Sequence, residues 1–160
     1  MGEKLEKLKD VVGKFDLAML VTHDKDGRPR ARPMAVADLD EDDAVLWFVT
    51  GKEGGKADEI DKDERSGVTM QSKTRYVSLS GHAERVSDPA KLDSLWRAQY
   101  DAWFQHGKKD ATLLRFTAER GEYWDASGVH GVGYALKLVK AVVTKEPPNV
   151  TRQEHGKVAL

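Results

Sequence analysis

Arg32, Thr50 and Lys56 are the residues of this chain whose types and spacing are best suited to chemistry. Arg32 stands in Ala31-Arg32-Pro33-Met34, Thr50 closes Trp47-Phe48-Val49-Thr50, and Lys56 follows Gly54-Gly55. A guanidinium offers a planar fork of donors that grips phosphate in bidentate fashion and stays charged in any environment. A threonine hydroxyl at the end of an apolar strand can donate to a phosphate oxygen. Two glycines let the backbone approach closely, and a lysine near a helix start adds its charge to free amides that favour anions. Taken singly, Arg32 reads as a surface arginine, and Lys52, Glu53 and Lys56 as a charged loop. Taken together on two strands, with flat apolar walls beside them, they suit a phosphorylated aromatic cofactor, which we read as flavin mononucleotide (FMN).

Competing motifs fail at specific positions. The stretch from Gly51 to Lys56 is one residue short of a nucleoside-triphosphate P-loop, and Ala57 stands where a magnesium-binding Ser or Thr belongs. Asp38, Asp40 and Asp42 suggest a calcium loop, yet no glycine occupies its sixth position and Val49 occupies its twelfth. The five histidines show no HExxH or other ligand spacing, so no metal site is expected. No GxSxG elbow or GxGxxG turn supports a hydrolase or a Rossmann fold. His82 and His130 are candidates for acid–base work only because imidazole titrates near neutrality, and no catalytic residue is assigned.

The elements that must position these residues read as follows. Leu5, Leu8, Val12 and Phe15 have helical spacing and predict a short helix ending at Gly13. Leu17 to Thr22 is an apolar run, Lys25-Asp26-Gly27 is a turn signal, and the chain returns through Pro33 to Leu39, which makes a hairpin. After an acidic turn, Ala44 to Thr50 predicts a strand, residues 54–63 a helix, and residues 66–71 and 76–86 two further strands. Asp88-Pro89 is a helix start, because Asp accepts bonds from free amides and Pro fits the first turn. Leu92, Leu95, Trp96, Gln99, Tyr100 and Trp103 extend it as a long helical stripe. Strands follow near residues 112–117, 121–124 and 134–144.

Six or seven strands with few helices predict a mainly β protein, a small antiparallel barrel. Residues 1–145 form its one domain and residues 146–160 an irregular tail. A chain of 160 residues suffices for one core. Leu17 to Val21 and Ala44 to Val49 are apolar on both faces, so something must cover the outside of the barrel, and a homodimer is the economical cover.

A formal net charge of -1 gives no sustained basic field, which disfavours nucleic-acid and anionic-membrane partners. The absence of cysteine excludes disulfides, thiolate metal sites and cysteine nucleophiles, so redox chemistry would need a cofactor. The charged N-terminus lacks the apolar run of a signal peptide, no stretch approaches a membrane span, and a cytoplasmic location is expected.

The ordered set Ala31-Arg32-Pro33-Met34, Leu46-Trp47-Phe48-Val49-Thr50, Lys56, Tyr76-Val77-Ser78-Leu79-Ser80-Gly81-His82-Ala83 and Glu122-Tyr123-Trp124-Asp125 resembles the general stress protein branch of the pyridoxamine 5′-phosphate oxidase-like split barrels. The likeness runs from about Leu5 to Val143 and rests on the order of the set. It implies an FMN-binding split β-barrel, Greek-key-like with flanking helices, that forms a homodimer with two FMN sites at the subunit interface. By position, Arg32 and Lys56 would hold the phosphate with help from Thr50 and the Gly55 backbone. Pro33, Met34, Phe48 and Val49 would line the ring, and Tyr76 and Trp124 would approach from the partner. The oxidases of this superfamily carry a basic Arg-Leu-His-Asp-Arg segment after the last of these motifs, whereas this chain has Ser127-Gly128-Val129-His130-Gly131-Val132-Gly133. Losing two arginines removes charge-assisted bonds worth about 1.5–3 kcal/mol each, which argues against pyridoxamine phosphate oxidation. The resemblance leaves open a flavin-dependent oxidoreductase acting on a small molecule, a protein that binds or buffers flavin without turnover, and a split barrel using deazaflavin or haem.

Overall fold

A computed structural model describes residues 2–40, 42–127, 140, 142–144 and 155–160. The strand at residues 134–144 and His130 expected from the sequence lie largely outside these residues. Lys140 and residues 142–144 are helical instead, and the Thr144 hydroxyl donates to the Lys140 carbonyl, the i to i−4 bond of a helix (2.9 Å).

Helix α1 (Gly2–Val12) is followed by β1 (Leu17–His23), β2 (Pro29–Ala35), β3 (Asp38–Asp40), β4 (Val45–Gly51), α2 (Gly55–Lys62), β5 (Arg65–Gln71) and β6 (Arg75–Val86). Helix α3 (Pro89–Leu95), two short 3₁₀ turns, β7 (Ala111–Asp125) and β8 (His155–Ala159) complete the described chain. The β1–β2 hairpin closes as its turn signal requires. The Asp24 carboxylate accepts from the amides of Asp26 and Arg28, and Gly27 takes the left-handed conformation at φ 77°.

All strand pairs are antiparallel, in the order β2-β1-β5-β6-β7-β4-β3, with β8 beside β7. The two ends of that path, β2 and β3, are separated by two residues of sequence, so the sheet must curl until its ends meet. The Ala37 amide completes the meeting by donating to the Trp47 carbonyl (2.8 Å). Inside the resulting half-barrel lie Leu20, Phe48, Val68, Leu114, Phe116 and Tyr123, all fully buried. Helix α1 adds Leu8, Val11 and Val12 to this core.

Strand β4 is apolar on both faces because both are covered within the chain. Phe48 points into the barrel, while Val49 packs outside it with Ala37, Leu92, Tyr100, Ala111 and Leu113. Helix α3 starts as expected, with the Asp88 side chain accepting from the Lys91 amide (2.9 Å), but it stops at Leu95 instead of running on to Trp103. Trp96 is extended, and the chain turns back through residues 98–102 so that the rings of Trp96, Tyr100 and Phe104 pack edge to face or tilted, with centroids 5.4–6.5 Å apart. A straight helix would have carried these rings away from the sheet, and Trp103 is left 81% exposed.

Two expected strands, residues 112–117 and 121–124, are one. Strand β7 runs through both, and a register shift beside Gly81 absorbs the break. A Cβ at Gly81 would lie 2.0 Å from the Thr117 carbonyl oxygen, which is backbone and cannot swing aside. Gly81→Ala is therefore expected to lower stability by about 2–3 kcal/mol, the upper part of the range for overpacking, measured by denaturant unfolding.

The C-terminal residues are not an irregular tail. His155–Ala159 pairs in register with Trp124–Arg120 as β8. The strand was hidden because its inward positions are Gly156 and Val158, only one of which has an apolar side chain. Glycine is needed at the first of them, since a Cβ would meet the Tyr123 hydroxyl at 2.6 Å. Residues 146–154 lie outside the described residues.

Candidate functional site

Partner residues in an antiparallel ladder point to the same face. Thr22 faces Arg30 across the β1–β2 ladder and Leu20 faces Arg32, so both arginines project toward the barrel side at the end where β1 leaves the core. Helix α2 crosses this end. Its turn geometry places Lys56 and Glu59, three residues apart, on the face turned toward β1 and β2.

Glu59 organises the group. Its carboxylate accepts from the Arg30 Nη1 at 2.6 Å through Oε1, and from the Thr22 hydroxyl at 2.6 Å and the Arg32 Nη2 through Oε2. Arg32 also donates to the Thr22 oxygen at 3.0 and 3.1 Å. Burial would raise the pKa of Glu59, but the Thr22 hydroxyl and the charges of Arg32 and Arg30 outweigh it and hold the carboxyl below its ordinary value. Lys56 is half-buried and, among the described residues, has no ion-pair partner. Burial, and behind it the charge of Arg32, lowers its pKa. A cation in that position is stabilised by whatever anion comes to it.

Beyond Trp47, the edge of β4 that faces β2 is free of β3, and no ladder joins β2 to β4 among the described residues. Arg32 and Pro33 lie on β2, and Phe48, Val49 and Thr50 lie on β4 beyond its last partner in β3. Phe48 and Met34 themselves point into the core, so they offer a ligand backbone rather than ring-facing side chains. Thr50 is buried at the end of β4, and Gly55 opens α2 with its Cα facing Arg30 and Glu59. The cations Arg32 and Lys56 are a donor set whose chemistry suits a phosphate.

The remaining expected contacts lie elsewhere. Tyr76 and Trp124 are register partners on the outward face of β6 and β7, and Trp124 is stacked against His155 of β8 at 5.3 Å. They are not joined to the Arg32 group within one chain. His82 also points outward and pairs with Glu119 (3.0 Å), on the opposite face from Ala83. No group of three or more metal-ligating side chains occurs among the described residues, and no helix there is long and apolar enough to cross a membrane.

Sequence comparison decides the family, because the profile of pyridoxamine 5′-phosphate oxidase-like proteins matches residues 3–149. The chain belongs to the pyridoxamine 5′-phosphate oxidase-like family. Among solved members, a general stress protein 26 from Jannaschia sp. CCS1 is 27% identical over the whole of both chains, with a TM-score of 0.72. A general stress FMN/FAD binding protein from Xanthomonas citri is 28% identical, with 80% of this chain and 92% of that one covered and a TM-score of 0.65. Protein bli-3 of Neurospora crassa is 28% identical over 95% of this chain and 78% of its own length. The split-barrel architecture and the likeness to the general stress branch expected from the sequence are both borne out. In this pyridoxamine 5′-phosphate oxidase-like chain the part of three residues in the site was missed from sequence, the buried Thr22 and Glu59 and the exposed Arg30. Arg30 carried a readable signal, since it stands two residues from Arg32 and shares its face. Thr22 and Glu59 carried none.

Proposed function

We propose that this protein binds FMN between β2 and β4, with the phosphate on Arg32 and Lys56, as a homodimer of the general stress type. The observation that carries this reading is the half-buried Lys56, without an ion-pair partner among the described residues and next to Arg32 at an unladdered gap between two strands. The FMN/FAD binding protein of Xanthomonas citri, with the same fold, supports the choice of cofactor. Bound flavin supplies hydride and electron chemistry, and the chain supplies its position and electrostatic surroundings.

A second copy is the cover we assign to the remaining apolar face. Helix α3 covers β4, but Leu17 (66% exposed) and Met19 on β1 and Tyr76 on β6 stay open to solvent on the outward side. A partner on this face would bury them and bring its Tyr76 and Trp124 toward the gap, which would complete the ring pocket. The basic segment of the oxidases is absent, so a small oxidised or electrophilic molecule, rather than pyridoxamine phosphate, is the substrate class proposed.

The test is an absorption spectrum after incubation with excess FMN and desalting, with the mass in solution measured on the same sample. Retained bands near ~370 and ~450 nm, expected of a protein-bound flavin, on a species of two chains support the reading. Anaerobic titration with NADH and NADPH then separates turnover from storage. A colourless protein, or one that takes up haem in preference, overturns it.

A further inference from the structure

We infer that Glu59 is the positioning residue of the phosphate site, a carboxylate that fixes the Arg32 guanidinium and sets the excess positive charge that a phosphate group meets. The inference rests on the FMN reading above and adds to it how the site recognises its ligand.

The hydrogen-bond pattern requires an ionised carboxylate at this position. Thr22 Oγ1 accepts from both terminal nitrogens of Arg32, so its own proton goes to Glu59 Oε2. Oε2 also accepts from Arg32, and Oε1 accepts from Arg30. Every neighbour is a donor, and both oxygens are acceptors. A glutamine would turn its NH₂ group toward donors in either orientation, toward the buried Thr22 hydroxyl and Arg32 in one and toward the exposed Arg30 in the other.

The consequence for the fork is geometric. Glu59 and Thr22 take both N–H groups of Arg32 Nη2 and one of Nη1, which leaves its Nε–H and the other Nη1–H for a ligand. The side chain, only 18% exposed, is thereby held in one orientation before any ligand arrives, and a preorganised fork loses less freedom on binding. Because Glu59 sits on α2, the same bonds fix the helix, and with it Lys56, against β1 and β2.

The consequence for charge is selectivity. Arg30, Arg32 and Lys56 against Glu59 leave an excess of two positive charges. A phosphate monoester carries about −1.5 to −2 at neutral pH. The linked phosphates of a dinucleotide carry one charge each and keep non-bridging oxygens, so the charge of the cradle separates a phosphorylated flavin from riboflavin and does not separate FMN from FAD. The cradle is therefore matched to a phosphorylated flavin over riboflavin.

The experiment is a fluorescence titration of the full chain and of Glu59→Gln with FMN, FAD and riboflavin, accompanied by a melting curve. Wild type is expected to prefer FMN to riboflavin. Glu59→Gln is expected to lose tenfold or more of its FMN affinity with riboflavin affinity unchanged, so that the FMN-to-riboflavin ratio collapses. If Glu59 is structural only, both ligands weaken together along with the melting temperature, and the inference is wrong. If Glu59 merely competes with phosphate for Arg32, the variant binds FMN more tightly, and the inference is again wrong. Thr22→Val, which removes the shared hydroxyl and keeps the volume, reads the same ratio should Glu59→Gln not fold. A wild-type protein that binds none of the three flavins overturns the FMN reading itself, an outcome separate from a wild type that discriminates while the variants leave the ratio unmoved.

Discussion

Arg32→Ala is expected to weaken FMN binding on the order of a hundredfold and to leave riboflavin binding nearly unchanged, because it removes charge-assisted, bidentate-capable bonds of about 1.5–3 kcal/mol each. The loss has a second source. Without Arg32, Oε2 of Glu59 keeps only the Thr22 hydroxyl, and the carboxylate stands beside the incoming phosphate with one of its two arginines gone. Lys56 then has less positive charge near it, so its pKa rises, and this partly offsets the loss at high pH. The measurement is the ratio of dissociation constants for FMN and riboflavin at neutral pH. Equal weakening of both would remove Arg32 from the phosphate site.

Phe48→Ala is expected to act through the fold. The ring is fully buried with Leu20, Leu46, Val68, Leu114 and Phe116, so truncation leaves a cavity in the main core and costs about 3–5 kcal/mol. For a chain of this size each kcal/mol corresponds to about 2–4 °C. The melting temperature should fall by roughly 10 °C or more, read by circular dichroism without ligand. Flavin affinity of the fraction that remains folded should change far less, because the backbone of residue 48, not its ring, faces the gap. A large affinity loss at unchanged stability would return Phe48 to the ring pocket as a side-chain contact.

The two substitutions mark where sequence and structure part company. Leu17 to Thr22, the Asp-Gly turn, Ala44 to Thr50 and the Asp88-Pro89 start were legible because local periodicity and backbone chemistry determine them. So was the pairing of Arg32 with Lys56, since one lies on a strand and the other opens the helix after the facing strand. Whether Phe48 pointed inward could not be read from a strand that is apolar at every position from Val45 to Val49, because both faces are covered and period two vanishes. Glu59 looked like an ordinary acidic residue on a short, charged helix. Its burial is set by Thr22 and Arg30, which come from strands more than twenty residues away. The turn after Leu95 is likewise tertiary, fixed by the packing of Trp96, Tyr100 and Phe104 and by the bond from Arg97 to the Ala37 carbonyl (3.0 Å). Strand β8 escaped notice because its first inward residue is the glycine that Tyr123 requires.

The carboxylate at position 59 also constrains how such a chain can change over generations. Residues 22, 30, 32 and 59 share one set of bonds, so altering any one strands a donor or a charge that the others were satisfying. Their effects should be strongly non-additive, and a double change can be milder than either single one. Drift at this corner of the barrel would therefore proceed by joint replacement of strand and helix residues, so that the four positions are inherited as a block while the exposed residues around them vary singly.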